Sequence, residues 1–156
     1  MTKGAGPGIG STESPAAGKR SGRDSVRVLV VDDSPVFRRG MGRAVQVHTG
    51  LELIGEAEGG HAALEAIGRL RPDVVLLDLR MPDLDGFGVL ERLSEWSLPS
   101  TSRVLIVSAS LDEETERAAR AAGAAGCVSK GSPRVEICAA ALRIARDGQV
   151  ADSSSP

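Results

Sequence analysis

The stretch VRVLVVDDSPVF, residues 26–37, drives a run of Val and Leu directly into two adjacent carboxylates, Asp32 and Asp33, followed by Ser34 and Pro35. A continuous apolar run reads as a strand buried on both faces, the pattern of a parallel sheet covered by helices. Asp, Ser and Pro are ordinary residues at a helix start, so one of the two acids is explained by the turn that follows the strand. The second is not. Like charges side by side raise each other's cost of ionisation, so the pair asks for a compensating cation.

Working outward, strand-like and helix-like segments alternate along the chain. The strands are expected at residues 26–31, 51–57, 73–77, 103–107 and 126–129, mostly short runs of Val, Leu and Ile. The helices are expected at 35–48, 60–70, 86–96, 112–122 and 133–147, the last presenting Val135, Cys138, Leu142 and Ala145 at helical spacing. This alternation predicts an α/β fold, a (βα)5 doubly wound domain on a five-stranded parallel sheet.

At 156 residues and 41% hydrophobic composition, the chain accommodates one such core and little more. A net charge of −2 argues against direct binding of nucleic acid or an anionic membrane through bulk charge. Runs such as VVLL and VLIV are too short to span a bilayer, and the N-terminus lacks the apolar core of a secretory signal, so a cytoplasmic location is expected. Cys127 and Cys138 have no C-x-x-C spacing and no His cluster, so free, buried thiols are expected. Residues 1–25 are rich in Gly, Ser, Pro and Ala without apolar periodicity and read as a disordered tail, and residues 149–156 as a short C-terminal tail. The N-terminal glycines do not fit G-x-G-x-x-G, and GKRS lacks the Gly that a phosphate-binding loop needs at position 13, which is Glu13.

In open α/β sheets ligands bind beyond the carboxyl ends of the strands. Strand one ends in Asp32 and Asp33, strand three runs DVVLLD into Asp78, strand four runs RVLIVS into Ser108, and strand five runs CVSK into Lys130. Three carboxylates, a hydroxyl and an ammonium therefore share one rim, and the carboxylates suit octahedral Mg²⁺ with room for water.

The set VVDD, LLDLRMPDLDG, VSAS and VSK resembles the receiver domain of bacterial two-component response regulators, over residues 26–148. The resemblance implies a flavodoxin-like strand order 2-1-3-4-5 and no enzyme activity of its own, the domain acting as a phosphorelay switch. It implies that Asp78 accepts a phosphoryl group from a histidine kinase or phosphotransfer protein. It implies further that Asp32, Asp33, Asp78 and the backbone carbonyl of Arg80 hold Mg²⁺, and that Ser108 and Lys130 contact the phosphoryl oxygens. The chemistry agrees, because a carboxylate is a competent phosphoryl acceptor and a metal neutralises charge on the transferring group.

Two features depart from the family pattern. The position three before Lys130, where receivers commonly carry an aromatic switch residue, is Cys127. The last helix resembles receivers that precede a helix-turn-helix output domain, yet the sequence stops after it, so output is expected through protein contact on the face of helix four, strand five and helix five. Cys127 keeps open the alternative of a pseudo-receiver, a binding module that works without phosphorylation. A haloacid-dehalogenase-like phosphatase would need D-x-D after the first strand, where this chain has adjacent acids. Asp83 and Asp85 tempt a calcium-loop reading, but Met81 and Arg92 stand where acids are required, and Asp85 is expected to cap helix three. His48 and His61 are expected at the surface.

Overall fold

The structure of the protein, a computed structural model, describes residues 24–96 and 102–150, with side chains up to 147. The elements run β1 (Val26–Val31), α1 (Pro35–Val47), β2 (Leu51–Ala57), α2 (Gly60–Leu70), β3 (Val74–Leu77), α3 (Gly86–Ser94), β4 (Arg103–Ser108), α4 (Glu113–Ala121), β5 (Gly126–Ser129) and α5 (Arg134–Val150). The five strands are all parallel, in the order β2-β1-β3-β4-β5. The expected flavodoxin-like doubly wound sheet is therefore what the chain adopts.

The uninterrupted apolar runs have a direct cause. Successive side chains of a strand point to opposite faces, and here both faces are covered. On one side Leu29, Val31, Val75, Leu77 and Ile106 meet Ala63 and Ile67 of α2, Val89 and Leu90 of α3, and Ala119 of α4. On the other, Val28, Val30, Val74, Leu76, Leu105 and Val107 meet Met41 and Val45 of α1 and Ile137, Ala141 and Ile144 of α5. Edge strand β2 is only half-buried along its middle, and its pairing with β1 shifts register between Val28 and Leu29.

The turns follow the local chemistry. The Ser34 hydroxyl caps α1 by accepting from Phe37 N at 3.3 Å, with Pro35 at the first helical position. Asp85 caps α3 as expected, accepting from Gly88 N at 2.8 Å, and Asp112 caps α4 through Thr115 N at 2.8 Å. Helix α2 ends on Arg71 in the left-handed region, φ 52 and ψ 62. The Arg27 guanidinium donates to the carbonyls of Leu70 and Arg71 at 2.8 and 2.6 Å, which satisfies carbonyls that the helix leaves open.

Some expectations need correction. Val135 is 71% exposed and faces away from the sheet; the packed stripe of α5 is Ile137, Cys138, Ala141, Ile144 and Ala145, with Leu142 at its margin. Two residues are about 200° of helix rotation, so starting the stripe at 135 instead of 137 put Val135 on the wrong face. Helix α3 ends at Ser94 instead of 96, β4 reaches Ser108, and α5 continues to Val150, so residues 149 and 150 of the expected tail are helical. Cys138 is buried, but Cys127 is only half-buried. Of the expected N-terminal tail, residues 1–23 lie outside the described residues, while Ser25 is buried against the domain. Residues 151–156 also lie outside them. No helix among the described residues is long and apolar enough to cross a membrane.

Candidate functional site

Sheet pairing continues just past the strand ends and sets the site residues side by side. Asp32 N donates to Ala57 O, Asp78 N to Val31 O and Lys130 N to Ser108 O, at 3.1, 3.1 and 2.9 Å. Asp32, Asp33 and Asp78 thereby offer carboxylate oxygens within 4.8 Å of one another. Asp32 and Asp78 are 1% and 4% exposed, whereas Asp33 faces solvent.

Each buried carboxylate has one oxygen tied to backbone and one turned inward. Asp32 Oδ1 accepts from Ser34 N at 2.8 Å and Asp78 Oδ1 from Arg80 N at 3.3 Å. Lys130 Nζ reaches both inward oxygens, lying 2.8 Å from Asp32 Oδ2 and 3.4 Å from Asp78 Oδ2. The shorter contact is an ion pair, and apart from that ammonium the fully buried Asp32 Oδ2 has no partner. A buried anionic oxygen in that condition, beside two further carboxylates, fits a hard divalent cation bound by oxygen. Asp32, Asp33 and Asp78 are the residues that could hold it.

The electrostatics match this crowding. Burial, and then the Asp32 charge, push the Asp78 carboxyl above the ordinary carboxylate range, and Lys130 only partly offsets them. Burial alone would lower the Lys130 ammonium, but Asp32 and Asp78 together outweigh it and hold it above the ordinary lysine value. The Asp32 carbonyl is itself fixed, accepting from Arg38 Nη1 at 2.7 Å, while Arg38 Nε pairs with Glu56 at 3.3 Å.

The remaining candidates fall as follows. Ser108 is buried at the end of β4, where its hydroxyl exchanges hydrogen bonds with Ser110, accepting from its N at 3.2 Å and donating to its O at 3.3 Å. It stands on the rim, engaged with its own loop. The Arg80 side chain is exposed, and its amide is turned toward Asp78. Cys127 packs against the apolar cluster on the α4 side of the sheet, and burial raises its thiol pKa. His61 is exposed as expected, but His48 is half-buried, its Nδ1 accepting from Gly50 N at 3.0 Å.

Sequence reasoning missed three contributors. Asp83, weighed only as a calcium ligand, accepts from Gly60 N and His61 N at 3.0 and 3.1 Å, pinning the loop after β3 to the start of α2. The adjacent glycines at 59 and 60 were the available signal, since a Cβ at Gly60 would run into the Leu84 carbonyl oxygen. The other two are Arg38 and Phe37, whose ring centroid lies 4.7 Å from Lys130 Nζ.

Comparison with known proteins agrees with this geometry. Residues 28–142 match the family model described as the response regulator receiver domain. The transcriptional regulatory protein NarL of Mycobacterium tuberculosis is 42% identical over 127 residues, which cover 81% of this chain and 58% of that protein. A protein-glutamate methylesterase/protein-glutamine glutaminase of Myxococcus xanthus is 47% identical over 107 residues, covering 67% of this chain and 30% of its own length. The chain thus spans little more than half of one curated relative and under a third of the other. Among solved structures, the signal receiver domain of the Mycobacterium tuberculosis response regulator NarL superposes with a TM-score of 0.74 at 42% identity, covering 80% of this chain and 98% of that one. With its sheet order, its rim of paired carboxylates and its family match all in agreement, the chain belongs to the receiver domains of two-component response regulators.

Proposed function

We propose that Asp78 is the phosphoacceptor of this receiver, charged by a histidine kinase or histidine phosphotransfer protein. The observation that carries the reading is Lys130 Nζ placed between Asp32 Oδ2 and Asp78 Oδ2, at 2.8 and 3.4 Å. An Asp78 oxygen attacks the phosphorus of a phosphohistidine, the P–N bond breaks, the imidazole leaves with the electron pair, and an aspartyl phosphate remains. Lys130 is already poised beside the acceptor oxygen and moves its charge onto the new phosphoryl oxygens. Ser108 gives up its bonds to Ser110 to donate to the same group. Asp32, Asp33, Asp78 and the Arg80 carbonyl would hold Mg²⁺, which when bound neutralises charge on the transferring group.

The domain signals and is not an enzyme in its own right. The added phosphoryl carries about −1.5 to −2 charges at pH 7. It interacts differently with two arrangements of Ser108 and Lys130, which is what a population shift requires. We assign the output to a cytoplasmic protein partner or module on the face of α4, β5 and α5, and no direct nucleic-acid contact to this domain, whose chain carries a net charge of −2.

The test is incubation with a small phosphodonor, with and without Mg²⁺. One hydroxylamine-labile phosphoryl per chain is expected, dependent on Mg²⁺, abolished by Asp78→Asn and reduced by Asp33→Ala. Labelling at full yield in Asp78→Asn would overturn the assignment. No label on the parent chain would favour the phosphorylation-independent binding module that Cys127 keeps open.

A further inference from the structure

The geometry points to Phe37 as a positioning residue for Lys130, an aromatic ring on α1 that holds the ammonium toward the acid pocket in a chain that has Cys127 where receivers commonly carry the ring. The Lys130 Nζ lies 4.7 Å from the Phe37 ring centroid, and the Arg134 guanidinium lies 5.2 Å from the same centroid. Both are within the range at which a cation is attracted to the ring's quadrupole. The arrangement is supported from below. One turn after Phe37 stands Gly40, where a Cβ would lie 2.8 Å from Arg134 Nη2, so the missing side chain opens a berth along α1 for the guanidinium that flanks the ring. Phe37 itself is partly buried against the α1 and α5 side of the core, which limits how the ring can turn.

A lysine has a long flexible stem and a strongly hydrated charge, so fixing its head is costly in side-chain entropy. Lys130 is held from two directions, by the ring on one side and by Asp32 and Asp78 on the other. When a phosphoryl group arrives, the ammonium is already ordered and partly desolvated next to its target. An aliphatic residue at 37 would fill similar space with no quadrupole and leave Lys130 held from the carboxylate side alone. This role rests on the proposal that Asp78 is phosphorylated, but the contact itself is a property of the metal-free protein.

Two measurements separate the claims. In metal-free, isotopically labelled full chain, the Lys130 Hε protons are expected upfield by the ring current in the parent and in Phe37→Trp, and near the ordinary lysine position in Phe37→Leu. With Mg²⁺ and beryllofluoride, Phe37→Leu is expected to bind the phosphoryl mimic about 3- to 30-fold more weakly than the parent, the span of one cation–π contact from exposed to desolvated, and Phe37→Trp to recover the loss. An ordinary Lys130 Hε position in the parent, or equal beryllofluoride affinity in the parent and Phe37→Leu, would overturn the role of Phe37. A parent that binds no beryllofluoride while keeping its upfield Lys130 shift would instead count against phosphorylation at Asp78 and leave the contact standing.

Discussion

Asp83, on the loop that follows β3, accepts the backbone amide of Gly60 at 3.0 Å and so serves as a cap from a distant part of the chain for α2, whose own preceding residue, Gly59, has no side chain to offer. The interaction joins the loop carrying Arg80 to a helix that packs on the same side of the sheet.

The acid dependence of this cap is the first expected outcome. The amides of His61 and Gly60 lower the Asp83 pKa from 3.8 to about 2. A lowered folded pKa means that the contribution is present above the unfolded value and is lost as pH falls from 3.8 toward about 2. Asp83→Ala should lower the melting temperature by a few degrees at pH 7. The gap to the parent should close in melts recorded down to pH 2.

Asp78 behaves in the opposite sense. Its folded pKa is raised above 3.8, so the native state holds its proton more tightly, and the group's contribution to stability falls as pH rises from 3.8 through the folded value. Asp78→Asn should therefore stabilise the metal-free protein at pH 7, because it removes a charge that burial and the Asp32 carboxylate disfavour. Near pH 3.8 the advantage should shrink. Mg²⁺ should raise the parent's melting temperature more than the variant's, and thermal melts at two pH values with and without the ion check all three expectations.

Arg71 holds φ 52 at the end of α2, where a Cβ is disfavoured and glycine is not. Its carbonyl, which accepts from Arg27, belongs to the backbone and survives substitution. Arg71→Gly should stabilise by roughly 0.5–1 kcal/mol, read as a shift of the urea midpoint with no change in slope.

The corrected stripe of α5 gives a paired comparison. Ile137 is fully buried and Val135 is 71% exposed. Ile137→Ala should cost about 2–5 kcal/mol, while Val135→Ser should stay within about 0.5 kcal/mol of the parent. Equal effects in chemical denaturation would mean that the helix is rotated from the orientation described.

The strands were legible because burial on both faces leaves a signal that needs no context: VVLL at 74–77 is buried at every position, as its composition demands. The rim was legible for a related reason, since Asp32, Asp78, Ser108 and Lys130 each stand where an apolar run stops. Contacts between residues far apart in sequence left weaker traces. Asp83 sits 23 residues from the amide it caps, and nothing in its own neighbourhood indicates that partner. Phe37 looked like any helix-start apolar residue, because its value lies in a cation 93 positions along the chain. In helix α5 the expected stripe was right at Cys138, Leu142 and Ala145 and wrong at Val135, since a run as rich in Ala, Val and Ile as VEICAAALRIA supports more than one apolar stripe.

Helix α4 buries only Ala119. An element anchored by so little apolar surface opens at low free energy, independently of the rest of the molecule. Its amides should exchange with deuterium well before those of β1, β3 or α5, as a separate cooperative unit. That same looseness lies downstream of Ser108, through Ser110 and the Asp112 cap. A pull on the Ser108 hydroxyl would thus have little packing to overcome in shifting α4, a helix whose position would then be set as much by the charge in the pocket as by the core beneath it.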